Sequence, residues 1–436
     1  MHEFGPQRVA ADSALGRVTA GILFLTLATA LVVPNALDAG MVALVLLALG
    51  WLPRPDGWRR HELHRMEWLF LASIVVYVAA WLLAWTGHGL AEAGSGTTER
   101  LLKLLGAIPV FLYLRRVDGL EDWWWNGLVA GALLAGGYAL WWLLTGQTGE
   151  YDARVTGPTN PIYFGGFAMA YALMLIPRLA DERQSTGARS LAGLAVMLAF
   201  VANALSGSRG AWLAIPLLLA VYLFTAGARQ PIRMRLGVPL VILVLSLVVL
   251  FVPTLPMSER VSETLLELSL IAEGTNGQGG IGLRMQMWEI AAGLIQADPL
   301  WGTGPGTFRV ALVESVQAGL YDPGLLRYEH PHNQYLSSLI EGGVGLFACL
   351  LLLLAAPILL VSPLSRTFSQ QCRYLAWCAL AAAVVFATLA LSESLFERNA
   401  GVVWLAFLAS VTTALAGGSA RQQSVPGERE DPGGDP

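Results

Sequence analysis

His330 and His332 flank a proline in YEHPHNQYL (328–336), immediately before a long apolar run. Two imidazoles at such a boundary offer proton transfer at neutral pH, metal ligation, or a local structural role. Pro331 suits the first helical position, where its missing N–H costs nothing, and it biases His330 toward extended backbone. On that reading His332 and Asn333 occupy the first helical turn, whose positive dipole end disfavours a protonated ring. A neutral histidine is the form that a general base requires. Tyr335, three residues on, shares the helical face of His332 and either orients the ring or packs. Asn333 fixes the local backbone.

Metal is the second chemistry to weigh. EHPH offers Glu329, His330 and His332, and EYD (150–152) offers a carboxylate pair. Zinc sites take three or four ligands in defined geometry, and the proline is expected to send the two rings in different directions. No metal and no cofactor is therefore expected.

Arginines supply the third element. Arg154 lies in YDARVTGPTNP, Arg209 in LSGSRGAW and Arg284 in GLRMQMW, each in a loop or at a helix boundary. An arginine at a span boundary is costly unless it is partnered or used. The residues just before Arg209 (Ser206, Gly207 and Ser208) carry no anion, which makes a ligand its candidate partner. Snorkelling to headgroups and pairing with a distant acid are the structural alternatives.

These residues sit in a chain of 436 residues that is 55% hydrophobic and 13% charged, with a mean hydropathy of +0.57. Soluble domains run at roughly 45–50% apolar and about 25% charged, so the chain reads as an all-α polytopic integral membrane protein surrounded by membrane lipids. A net charge of −4 argues against nucleic acid as a partner. With about 20 apolar residues to a span, the pattern predicts about twelve transmembrane helices: 17–34, 38–53, 66–86, 100–114, 123–145, 161–178, 190–205, 209–226, 236–253, 332–362, 372–391 and 399–417. Cys349, Cys372 and Cys378 all lie in or beside these apolar runs, so no outer loop holds an internal disulfide.

Lys and Arg in the short connections set the orientation. RPDGWRRHELHR (54–65), Arg115–Arg116, Arg178/Arg183/Arg189, Arg229/Arg233/Arg235 and Arg366/Arg373 fall on one side, whereas 87–99, 146–160 and 392–397 carry only Arg154. Both termini are then cytoplasmic. The chain divides into helices 1–9 (1–253), one long outward connection (254–331), helices 10–12 (332–417) and a polar tail (418–436). The connection is too long to be passive. It reads as two amphipathic helices, near 258–272 and 283–297, joined by GTNGQGG and followed by the glycine-rich DPLWGTGPGTF (298–308), either a turn or an anion cradle.

RVTGPTNPIYFGG, SGSRGAW, DPLWGTGPGTF and above all HPHNQYL followed by EGGVG resemble the bacterial O-antigen ligase and polymerase superfamily of membrane glycosyltransferases, over roughly 150–400. The resemblance is strongest to the ligases. It implies transfer of a polysaccharide from undecaprenyl diphosphate to lipid A core at the periplasmic face of the inner membrane. It casts His332 as the base, Arg209 and Arg284 as diphosphate ligands, and Arg154, His330, Asn333 and Tyr335 as further substrate-binding residues. The inverting reaction would need no metal. Polymerases of the superfamily divide function between two large outward loops, and protein O-oligosaccharyltransferases append a C-terminal extracytoplasmic region. One long loop and a short tail favour the ligase over both. A lipid-linked glycan transporter, the reading from a different class, should instead show charges recurring through the spans.

Overall fold

The computed structural model describes residues 9–10, 12–52, 63–89, 91–147, 154–224, 279–361 and 369–424, with isolated positions between 225 and 278. The described chain is helical. Most of the ninth span, both ends of the first loop helix, EYD, and the tail beyond Ser424 lie outside the described residues.

Among the described residues, seven helices are long and apolar enough to cross a membrane. They are α3 (Arg65–Gly87), α6 (Glu121–Leu144), α7 (Pro161–Leu179), α8 (Thr186–Ser206), α12 (Gln334–Val361), α13 (Gln370–Leu389) and the Asn399–Gly418 part of α14 (Asn399–Ser424). Three shorter apolar stretches join them: α1 (Ala14–Thr29), α2 (Ala36–Trp51) and Gly210–Leu223. This is the architecture of a polytopic membrane protein, with fewer full-length spans among the described residues than the twelve expected.

Two of the expected spans are interrupted, and both for the same reason. Residues 100–114 divide into α4 (Ala91–Leu102), a 3₁₀ turn at Lys103–Gly106 and the eight-residue α5 (Ala107–Leu114). The 209–226 run opens as a 3₁₀ turn at Gly210–Leu213 before α9 (Ala214–Phe224). Each short helix begins Ala-Ile-Pro, at 107–109 and 214–216. A proline third in the helix has no N–H to give to the carbonyl four residues back, and its ring crowds that carbonyl. The backbone before it therefore tightens instead of continuing as α-helix.

α7 lies at the centre, packed between α8 and α13, while α6 bridges α8 and α1, and α12 packs along α3. Asn160 starts α7 by accepting the Tyr163 N–H at 2.9 Å, with Pro161 at the first position. At the opposite end of the bundle from the histidines, Glu67 accepts from Arg115 Nη2 at 2.9 Å with both side chains buried. The three cysteines are free thiols.

The connection before α12 carries its own small core. α10 (Gly280–Ala297) buries Leu283, Met287, Ile290 and Ala291, with Leu294 partly covered. Glu267, from the preceding segment, accepts the N–H groups of Ile281 and Gly282 and so satisfies the start of α10. A helix absent from the sequence reading, α11 (Thr307–Gln317), adds Phe308 and Leu312 to this core. Ile340 of α12 closes it.

Candidate functional site

The Asn333 side chain accepts from the backbone N–H of Tyr335 at 3.0 Å and of Leu336 at 3.2 Å, so Asn333 is the cap and α12 starts at Gln334. This corrects the expectation that Pro331 opens the helix and that His332 lies in its first turn. His332 instead sits just before the cap at φ 50°. That left-handed conformation costs a non-glycine residue on the order of 1 kcal/mol or more, so surrounding contacts must hold it. Gln334 donates its N–H to Ala390 O, and Phe396 donates to the Gln334 side chain. Trp288 of α10 donates to Pro331 O at 3.0 Å.

Residues 392–394, the turn after α13, each take partners from other elements. Ser394 Oγ accepts the Asn333 N–H at 3.2 Å. The Glu393 carboxylate lies 2.9 Å from His332 Nδ1 and 3.9 Å from His330 Nε2. Ser392 O receives Arg284 Nη2 at 3.5 Å, the long limit of a hydrogen bond. Gly210, beside Arg209, packs so closely that a Cβ there would fall 2.3 Å from Ser392 Oγ. The turn thus gathers His332, His330 and Arg284, with Arg209 next to it.

Arg209 is exposed at the head of a rigid turn. α8 ends at Gly207, φ 66°, and Asn203 ties Gly165 O and Ser208 O together while accepting from Trp212 Nε1. Arg154 Nε donates to Ser206 O at 2.8 Å, which brings Arg154 to the same turn. Arg209 also has a partner within the protein, so the neutral local sequence does not leave it unpaired. Tyr335 turns inward and donates to Ala387 O at 2.9 Å.

The proline does not separate the two histidine rings, as the sequence suggested; their centroids lie 4.5 Å apart. Tyr328 meets His332 edge-on at 5.1 Å. Burial first, then the neighbouring His332, lowers the His330 pKa to about 4, so this ring is neutral at pH 7. Burial pushes the Glu393 carboxyl up, but its hydrogen bond to His332 and the nearby His332, His330 and Arg398 outweigh that and hold it below the usual range. An ionised Glu393 only accepts, so the proton of a neutral His332 belongs on Nδ1 and the lone pair on Nε2. The His332 side chain remains 19% exposed against 2% for Glu393, so the ring can meet a substrate and the carboxylate cannot.

His330, His332 and Glu393 each place one ligand atom within 4.8 Å of the others, a spacing that suits a metal ion. The carboxylate in that cluster is Glu393 and not Glu329, whose partner is Arg309 at 3.5 Å. Sequence reasoning missed Glu393. Its only signal was an acid in the loop SESLFE, which carries no basic residue.

The glycine-rich loop is a clamp. Thr303 and Gly304 donate their N–H groups to Ile340 O, and Val344 N–H returns to Pro299 O. Gly342 and Gly343 break the helical geometry of α12 at that point, and a Cβ on Gly343 would lie 2.2 Å from Leu300 O. DPLWGTGPG and EGGVG are therefore two halves of one contact. The amides of Trp301, Gly302, Thr303 and Gly304 are all spent on the protein.

An arginine-flanked imidazole–carboxylate pair at one end of a polytopic helical bundle is the setting in which the family comparison acquires meaning. Residues 194–351 match the O-antigen ligase family. The likeness read from SGSRGAW and HPHNQYL is thereby shown. The matched O-antigen ligase stretch takes in Arg209, Arg284, His330, His332, Asn333 and Tyr335, and leaves Arg154 and Glu393 outside. An uncharacterized protein of Haemophilus influenzae is 28% identical over 167 residues, 38% of this chain and 41% of the relative. The chain thus spans about two fifths of the length of the curated relative it matches.

Proposed function

We propose that this protein is a glycosyltransferase that moves a polysaccharide from undecaprenyl diphosphate to a sugar hydroxyl of lipid A core, as an O-antigen ligase does. The reaction takes place at the periplasmic face of the bacterial inner membrane, with both termini in the cytoplasm and spans numbering about twelve. The observation that carries this reading is the turn 392–394, which sets the His332–Glu393 pair beside Arg284 and Arg209.

The donor's anomeric carbon already bears a good leaving group, so the protein must supply a base and positive charge. His332 Nε2 takes the proton from the acceptor hydroxyl as the oxygen attacks the anomeric carbon. The C–O bond to the diphosphate breaks on the opposite face, which inverts the centre. Arg209 and Arg284 hold the departing diphosphate through forked contacts, and Arg154 supports them. Glu393 fixes the tautomer of His332 and stabilises the imidazolium that forms. His330 packs against the base, while Asn333 and Tyr335 anchor the start of α12 and shape the substrate wall. The arginines supply the charge that a divalent ion would otherwise bring, so the reaction runs without metal.

Reconstituted full-length protein, given an undecaprenyl-diphosphate-linked glycan and lipid A core, should form glycosylated core with no ATP and no ion gradient. Product on a second lipid-linked glycan would make it an O-antigen polymerase, and product on protein an O-oligosaccharyltransferase. Movement of the donor across the bilayer with no new glycosidic bond would make it a transporter.

A further inference from the structure

The run read from the sequence as one span, 332–362, changes character partway. Residues 334–341 include Gln334, Ser337, Ser338 and Glu341, whereas 344–361 are eighteen residues without a charge. Eighteen helical residues measure about 27 Å, close to the roughly 30 Å of a bilayer's hydrocarbon core. Gly342 and Gly343 break α12 between the two parts. α3 reaches its limit at the same place. Its uncharged stretch, 68–85, ends at Trp85, and Ala84 lies beside the break, 3.3 Å from where a Cβ on Gly342 would be. Two neighbouring spans thus end their apolar stretches in one plane.

The glycine-rich clamp lies on that plane. Pro299 O takes the Val344 N–H at 3.0 Å, and His88, which follows α3, brings Nε2 within 3.1 Å of Gly302 O. Between these contacts Leu300 and Trp301 turn outward, 63% and 75% exposed. Leu83 of α3 and Val344 of α12, at the same level, are exposed as well. A tryptophan, apolar in body with a polar N–H, suits the boundary between lipid and water. Irregular backbone is tolerated at membrane depth only where the protein satisfies its polar groups. The amides of Trp301, Gly302, Thr303 and Gly304 meet that demand.

We propose that the hydrocarbon boundary on the histidine side runs through the Gly342–Gly343 break, that Leu300 and Trp301 are set into the lipid there, and that 334–341 form a pedestal above it. Eight helical residues rise about 12 Å, more than the roughly 5–8 Å of one headgroup layer. The His332–Glu393 pair then stands in water, clear of the headgroups. The placement rests on packing alone. Its consequence for the chemistry rests on the transferase reading above: a diphosphate at the outer rim of the headgroup layer presents its sugar to His332.

Nitroxide labels on the full-length protein in lipid nanodiscs, without donor, measure this depth by collision with lipid-soluble oxygen and with a water-soluble nickel chelate. Leu300→Cys and Trp301→Cys report the clamp, and exposed Leu351→Cys reports the span below it. Glu329→Cys, at a side chain 71% exposed beside the histidines, reports the top of the pedestal. Signal from Cys349, Cys372 and Cys378 is subtracted with the unsubstituted protein. The oxygen-to-nickel ratio should be lowest at 329, higher at 300 and 301, and highest at 351. Either clamp label suffices should the other substitution spoil the fold. Clamp labels as open to nickel as the label at 329 would overturn the anchor. A label at 329 as rich in oxygen as the clamp would bring the pair down to the boundary and overturn the pedestal. The expected order without glycan transfer in the full assay would sink the transferase reading and leave the placement standing.

Discussion

The Glu393 carboxylate and the His332 imidazole meet at 2.9 Å across 61 residues of sequence, and the meeting point is a turn that neither helix α12 nor helix α13 includes. A buried carboxylate that accepts from one ring nitrogen fixes where the other nitrogen keeps its lone pair. Glu393 is therefore a positioning residue. Glu393→Gln keeps the shape but loses the charge-assisted bond, which is worth on the order of 1.5–3 kcal/mol, or about 10- to 150-fold in kcat. The KM for donor should hold, and the pH profile of kcat should shift. Equal loss in kcat and donor affinity with an unchanged pH profile would point to a merely structural carboxylate.

The arginines separate charge from shape. Arg209→Ala and Arg284→Ala should each lower transfer at limiting donor by about 10- to 150-fold, the weight of a contact to a charged group. Lys at either position restores the charge without the fork and should recover only part. Arg17, exposed on α1 at the far end of the bundle, serves as the control. Should Arg209→Ala and Arg284→Ala transfer glycan as well as Arg17→Ala at equal protein, the diphosphate is held elsewhere.

Much of the membrane-embedded part was legible because apolar runs of span length are dictated by the bilayer. The interruptions at Ala-Ile-Pro were written in the sequence too, but length and hydropathy outvoted a single proline at 109 and at 216. The stripe Leu283, Met287, Ile290, Ala291 placed α10 correctly, since its period of 3.6 is local. Glu393 was illegible for the opposite reason. Its meaning lies wholly in a contact to a residue 61 positions away, and nothing in SESLFE marks it. The pairing of DPLWGTGPG with EGGVG was hidden in the same way, as two glycine clusters that each read alone as a turn.

That pairing makes a stability prediction. Gly343 sits at φ 61° with Leu300 O where a Cβ would go. Gly343→Ala should destabilise the protein by about 1–3 kcal/mol through backbone strain, seen as a lower thermal midpoint in detergent. Gly345→Ala, where a Cβ meets nothing within 4 Å, should change it little. Equal midpoints for the two variants would mean that the clamp is not under strain.

Acid should loosen the site before it touches the rest of the fold. His330 titrates at about 4 when folded, against an ordinary 6.5. The unfolded chain therefore binds the extra proton first, and stability falls as pH drops from about 6.5 toward 4. Glu393, held below its ordinary value of 4.5, adds to the loss at still lower pH. His330→Gln should flatten the thermal midpoint between pH 6.5 and 4. A midpoint equally pH-dependent in wild type and variant would remove His330 from this account.

Chelation tests the metal question at the same three residues. Full transfer activity should persist in excess EDTA, with no gain from Mg²⁺, Mn²⁺ or Zn²⁺. Activity lost on chelation and restored by one divalent ion would place that ion between His330, His332 and Glu393, whose ligand atoms lie within 4.8 Å of one another.

The central claim is that His332 is the base, and single-turnover transfer by purified His332→Ala protein with saturating donor and lipid A core tests it most directly. A general base contributes about 10²- to 10⁴-fold, so the rate should fall by that factor while donor binding, measured separately, stays within about twofold of wild type, a small fraction of 1.4 kcal/mol. Near-normal turnover by the His332→Ala protein would contradict the account.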